Sequence, residues 1–251
     1  QIDWCYTHEL GPGTPLPQEG DRDVVGLVSP HAGYMFSGPV AAHGFGRLGG
    51  PGLRDRTVAI IGPNHTGIGA PVSLLGEDFK TPLGVARVDM DSVHGLVEAG
   101  VTEDAGAHRF EHSVEVQIPF LQHLTLEFRF VPIVMMAQDL RVAQDLGRTL
   151  REVLPDDTLY VASTDFSHYI PPEVARAADS MAIERILEMD AEGLFTTVTE
   201  KRISMCGFGP VMAMLIAVGD AEATLLKYAT SGDIRPMHDV VGYASIVLGR
   251  R

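Results

Sequence analysis

Cysteine is scarce in this chain: Cys5 and Cys206 are the only two among 251 residues. That excludes a disulfide framework and leaves open at most a single Cys5–Cys206 bridge. With so few thiols, and no basic-then-apolar leader at the start of the sequence, a cytoplasmic setting is the expectation. Positive charge is short as well. Nineteen Lys and Arg face 33 Asp and Glu, giving a net charge of −14. General binding to nucleic acid or to an anionic membrane is disfavoured, because phosphates would be repelled. No apolar run reaches the ~18 residues of a membrane span. The longest stretch, GPVMAMLIAVG from Gly209 to Gly219, suits a buried helix. Walker A, GxGxxG after a strand, GxSxG and HExxH are all missing. A nucleotide cradle, a serine-hydrolase elbow and a zincin helix therefore lose their usual signatures.

What is present is globular: 45% apolar and 21% charged residues, a composition that argues against disorder. The length suits one domain over residues 1–251, since single cores extend to about 250 residues. The Gly- and Pro-rich segment Glu9–Asp21 reads as an exposed loop. Beyond it, short β-rich runs alternate with helical patterns. The strands expected are Val24–Ser29, Thr57–Gly62, Phe128–Val134, Leu159–Ser163, Ala223–Ala229 and Val241–Leu248. The helices expected are Pro39–Leu48, Ser92–Glu98, Val114–Leu124, Leu140–Leu154, Val174–Met189 and Phe208–Val218, with Pro119 kinking or ending the third. Several strands are continuously apolar, as burial by helices on both faces requires. The pattern predicts an α/β, single three-layer domain with a largely parallel central sheet. The last two strands, joined by TSGDIRPMHD, are expected to pair antiparallel at one edge.

Sites in open α/β sheets lie beyond the carboxyl ends of the strands, where loops converge. Two strands here run into a proline and then a histidine, VSPHAG at His31 and IIGPNHTG at His65. A third runs into STDFSHY, carrying Asp165 and His168. Any one of these histidines reads as a hydrogen-bonded loop residue; together they read as one cleft of groups that ligate metals or move protons. Glu111 and His112 open a helical pattern, where His112 could bond a substrate oxygen or both could serve ordinary helix capping. Cys206 precedes Gly207 and an apolar helix. It is either a thiol with its pKa lowered by the helix N-terminus or a small buried hydrophobe. His43, His94, His108, His123 and His238 are unassigned, His43 and His123 as satisfied or surface residues.

SPHAGYMFSGPVAAH, IIGPNHTG, EHSVEVQIPFLQ, STDFSHY and MCGFGPVMAML occur in the order and spacing of the MEMO family, also called AmmeMemoRadiSam system protein B. The resemblance runs from about Cys5 to the C-terminus, and CYTHELGPGTPLP looks like its prokaryotic, archaeal branch. It implies a fold similar to the class III extradiol dioxygenases, whose non-haem iron is held by two histidines and a glutamate. It further implies that His31, His65 and Cys206 hold the metal, with Cys206 in place of the glutamate. His112 and His168 then match histidines that bind substrate and transfer protons, and Asp165 lies beside them. A thiolate in place of a carboxylate softens the site, favouring copper or zinc and changing any iron redox potential; the cofactor expected is a metal ion, iron or copper, with zinc as the alternative. The implied function is a redox-metal protein, dioxygenase-like in fold, acting on a small molecule or peptide in the cleft. Ring cleavage itself is disfavoured by the altered ligand set. The family name points to radical-SAM and AMMECR-type partner proteins. Two rivals stand beside this reading: a binding module using the inherited cleft without chemistry, and a zinc-dependent hydrolase.

Overall fold

In the computed structural model, residues 1–14 and 20–251 are described. The chain opens with α1 (Ile2–Thr7), passes through β1 (Val24–Ser29) and enters α2 (Tyr34–Leu53), against which α1 packs. Next come β2 (Thr57–Pro63) and three short strands, β3 (Val72–Leu74), β4 (Phe79–Thr81) and β5 (Gly84–Val88). They are followed by α3 (Met90–Glu98), β6 (Thr102–Glu103) and α4 (Ala105–His108). A 3-10 turn at Glu115–Gln117 leads into α5 (Ile118–Leu124), then β7 (Arg129–Met135), α6 (Leu140–Val153), β8 (Leu159–Ser163) and β9 (His168–Ile170). The last third holds α7 (Pro172–Leu187), α8 (Ala191–Lys201), α9 (Phe208–Val218), β10 (Ala221–Thr230), α10 (Ser231–Ile234) and β11 (Val240–Arg250).

The sheet runs β10-β11-β1-β8-β2-β7-β3-β6. Its centre, β1-β8-β2-β7, is wholly parallel. Every residue of β1, β2 and β8 is buried, which is possible only when helices cover both faces. Helices α2 and α9 both pack on β1, and α9 also reaches β2, β7 and β8 while resting against α6. The expected α/β domain with a mostly parallel sheet is the observed one. The C-terminal strands β10 and β11 do pair antiparallel at the sheet edge. Their connection is not bare loop, because Thr230 and Asp233 form a reciprocal capping box that winds one turn, α10.

Several helices differ from expectation for local reasons. The pattern over Val114–Leu124 is split: a 3-10 turn comes first, and Pro119 sits in the opening turn of α5. Pro lacks the N–H that an opening turn leaves unpaired anyway, so it starts this helix rather than kinking it. Helix α2 runs from Tyr34 to Leu53, well beyond both ends of Pro39–Leu48, and breaks only at Gly49, whose φ of 58° is non-helical. The pattern Val174–Met189 ends at Leu187, and a separate helix, α8, follows behind an Asp190 cap. Of the loop expected at Glu9–Asp21, residues 15–19 lie outside the described part of the chain.

Candidate metal centre

Strand β8 lies between β1 and β2, with Ser29 level with Ser163 and Ile61 level with Ala162. The two Pro–His exits therefore flank the STDFSH loop at one end of the sheet. Close approach is built in at Gly62, where a Cβ would run into the Ser113 side chain, and at Gly207, where it would meet Thr164 and the Ser163 carbonyl.

His31 is 2% exposed. Its Nδ1 is 2.8 Å from Ser163 Oγ, and its backbone N–H donates to Asp165 Oδ1 at 2.9 Å. Its Nε2 faces Cys206 Sγ at 3.4 Å. Burial pushes the imidazole down to about 4, against the pull of the Asp165 carboxylate.

His65 is more open and is held by one carboxylate. Its Nδ1–H donates to Glu111 Oε1 at 2.9 Å and its backbone N–H to Oε2 at 2.5 Å. Glu111 Oε1 also accepts the backbone N–H groups of His112 (2.8 Å) and Ser113 (2.9 Å). Burial alone would raise the Glu111 carboxyl, but these donors prevail and hold it at about 2. An ionised carboxylate only accepts, so Nδ1 of His65 donates to it, and Nε2 is the ring nitrogen turned away from Glu111. His112 completes the group. Its ring stacks on His65 (5.0 Å, 20°) and meets His31 edge-on (5.5 Å, 85°). Donor nitrogens of His31, His65 and His112 all lie within 4.8 Å of one another. Three imidazoles so placed fit a transition-metal ion, and zinc, copper and iron all accept such nitrogen donors.

Cys5 and Cys206 are both free, so no bridge joins them. The Cys5 thiol donates to Tyr34 O instead. Of the two readings of Cys206, the thiol of lowered pKa before α9 is not what its surroundings produce. Burial pushes the thiol well up and the Asp165 carboxylate adds to it, while the Asp165 N–H pointing at Sγ (3.2 Å) only partly offsets them. Desolvation of the thiolate outweighs the hydrogen bonds that reach it.

Asp165 is buried and turns its carboxylate onto the His31 backbone, and its carbonyl accepts the Cys206 N–H. His168 is anchored twice to Ser204, Nδ1 to the carbonyl (2.7 Å) and N–H to Oγ (2.8 Å). Its ring neighbours Tyr169 rather than the three imidazoles. Tyr169 is 78% exposed and holds a φ of 56°, a strained backbone for an aromatic residue.

Helix capping, one of the two readings open for Glu111 and His112, is not the role of Glu111: the helical turn that follows begins only at Glu115, and the carboxylate holds His65. Ser113, Gln117 and Ser163 escaped the sequence reading; the first two stood inside EHSVEVQ and the third opens STDFSH. Of the unassigned histidines, His43 bonds Leu10 O, His108 bonds Ser73 O, His123 stacks on Tyr6 and His238 bonds Asp239.

The Memo-like protein family model matches residues 1–247. A MEMO1 family protein of Methanopyrus kandleri is 46% identical over 99% of this chain and 92% of its own length. One from Methanothermobacter thermautotrophicus is 44% identical over 98% and 92%, and one from Pyrobaculum arsenaticum is 45% identical over 100% and 92%. The crystal structure of an uncharacterized protein of Escherichia coli K12 superposes with a TM-score of 0.54 at 14% identity, covering 89% of this chain and 99% of that one. At that identity the likeness is one of fold.

Proposed function

Because the chain belongs to the Memo-like family, with the histidine-bearing ends of its central strands gathered at one end of the sheet, we propose that it is a redox-metal protein holding iron or copper. The observation that carries this reading is the orientation of His31 and His65. Both rings use Nδ1 for hydrogen bonds to Ser163 and Glu111, which leaves Nε2 of His31 facing Cys206 Sγ and Nε2 of His65 as the nitrogen to offer a metal. Cys206 Sγ, next to His31 Nε2, is the third ligand in this reading, and a soft thiolate beside two imidazoles suits copper or iron. Asp165 fixes the His31 backbone, while His112 and His168 are the groups that hold or move a proton for a small molecule or peptide in the cleft. Iron or copper would supply one-electron chemistry there; zinc would instead polarise a water.

The compact three-imidazole group favours a second reading, zinc held by His31, His65 and His112, because three-histidine sets are a common catalytic zinc arrangement. Metal analysis after anaerobic, reducing purification separates the two. The redox reading expects stoichiometric iron or copper that is lost in both His65→Ala and Cys206→Ser. The zinc reading expects zinc that survives Cys206→Ser and is lost in His112→Ala. Wild-type protein that takes up no transition metal under these conditions refutes both. In that case a ligand whose binding survives His65→Ala would identify a metal-independent binding module.

A further inference from the structure

Ser163 is a wholly buried hydroxyl with three partners. It lies 2.6 Å from the Ser113 carbonyl, 2.8 Å from Gln117 Nε2 and 2.8 Å from His31 Nδ1. A hydroxyl has one proton and two acceptor lone pairs. The Ser113 carbonyl can only accept, so it takes that proton. Gln117 Nε2 can only donate, and its orientation is fixed because its other hydrogen meets the Pro30 carbonyl at 3.1 Å. Ser163 is left with one lone pair for His31, and Nδ1 must bring the proton. The Gln117 amide oxygen has no hydrogen-bond partner, so in this buried place the residue is of use for its two N–H groups.

We infer that Ser163, its proton committed to the Ser113 carbonyl and one lone pair to Gln117, is a positioning residue that sets the tautomer of His31, proton on Nδ1 and lone pair on Nε2. Ser113 ties that setting to the one Glu111 imposes on His65. Ser113 accepts from Ser163 through its carbonyl, donates its N–H to Glu111 and donates its hydroxyl to Pro63 O at the exit of β2. One short segment thus registers two imidazoles carried by different strands. The metal-ligating purpose of the tautomer rests on the metal-centre reading above; the tautomer itself rests on donor and acceptor chemistry, with the Cys206 thiol, 3.4 Å from Nε2, as the donor there.

The test is long-range proton–nitrogen NMR on metal-free, 15N-histidine-labelled protein at neutral pH, with His31 assigned by its loss in His31→Gln. Wild type is expected to show Nδ1 protonated and Nε2 bare. Ser163→Ala should shift His31 toward the Nε2–H form and weaken binding of Fe(II), added anaerobically, by about 10–100-fold. Ser163→Thr, which keeps the hydroxyl, should restore both. An Nε2–H tautomer in the wild type overturns the inference, and this measurement needs no variant to fold. Folded Ser163→Ala protein that keeps the wild-type tautomer and affinity overturns the role of Ser163. If the tautomer responds as stated but no form binds metal, the inference stands and the metal-centre reading fails.

Discussion

Glu111→Gln is the most informative single change. The carboxylate collects four N–H groups, three on Oε1 and one on Oε2, and its side chain is 1% exposed. An amide has one oxygen. Its best placement keeps the three bonds at Oε1 and turns NH2 against the His65 backbone N–H, so a bond is lost and two donors collide. Losing a hydrogen bond to a charged group costs about 1.5–3 kcal/mol. An independent figure follows from the carboxyl itself: holding it at about 2 instead of 4.5 corresponds to ~3 kcal/mol at neutral pH. The two agree, and for a chain of this size ~2–3 kcal/mol lowers Tm by about 5–10 °C.

The sign of the pH dependence is set by the depressed pKa. Glu111 contributes its full stabilisation above 4.5 and loses it as pH falls from there toward about 2. Urea unfolding of wild type and Glu111→Gln should therefore show a constant gap above about pH 5 and a closing gap below it. Metal affinity should fall by about 10–100-fold, because His65 loses a charged partner on Nδ1. A variant that melts within ~1 °C of wild type and binds metal as tightly would refute this account of the residue.

Other changes test other parts of the molecule. Asp179 is wholly buried, forms no ion pair among the described residues, and accepts from Ser167 N, Ser167 Oγ and Tyr228 OH; burial raises its pKa. Asp179→Asn should stay within about 1 kcal/mol of wild type at neutral pH, whereas Asp179→Ala should cost about 2–4 kcal/mol by orphaning three donors, both read from urea midpoints. Arg56, 2% exposed, donates to the carbonyls of Gly52, Asp157 and Val24. Arg56→Met should lose ~3 kcal/mol in the same assay, and an unchanged midpoint would show that those carbonyls find other partners. His31 binds a proton less well folded (about 4) than unfolded (6.5), so its contribution is complete above 6.5 and declines as pH falls toward 4. Metal-free wild type should lose up to ~3 kcal/mol across that window relative to His31→Gln, and parallel pH profiles would refute the burial argument.

The central strands were legible because burial on both faces writes itself as a continuous apolar run: Val24–Ser29 and Leu159–Ser163 begin and end where the sequence places them. The short strands β3 to β6 were not. Each has two to five residues, and β5 exposes its Val85 and Arg87, so no run or alternation long enough to register ever forms. Histidines at strand ends were visible as a type of residue in a type of place. Their supports were not, because serine, glutamine and glutamate beside turns have ordinary capping roles that cost nothing to assume. Only burial tells Glu111 from a capping residue, and burial is a property of the fold. The Cys206 thiol shows the same limit in reverse: a local rule about helix ends gave a direction that desolvation and the Asp165 carboxylate overrule.

The strand order explains why the site needs the whole domain. β1 and β2 are consecutive parallel strands in the chain, yet they are not neighbours, because β8 is inserted between them. That insertion puts Ser163 and Asp165 beside His31, a contact spanning more than 130 residues, and lets the 111–117 segment bridge to both histidine-bearing exits. No local stretch of sequence holds two of the three imidazoles in a set tautomer. His31 is oriented by the end of β8 and by Gln117, and His65 by Glu111, with Ser113 between the two arrangements. The donor nitrogens are thus set by sheet order and by buried polar side chains, neither of which motif spacing reports. A change that loosens β8 in its slot should disturb His31 before it disturbs His65, because only His31 draws its partners from that strand and the loop that follows it.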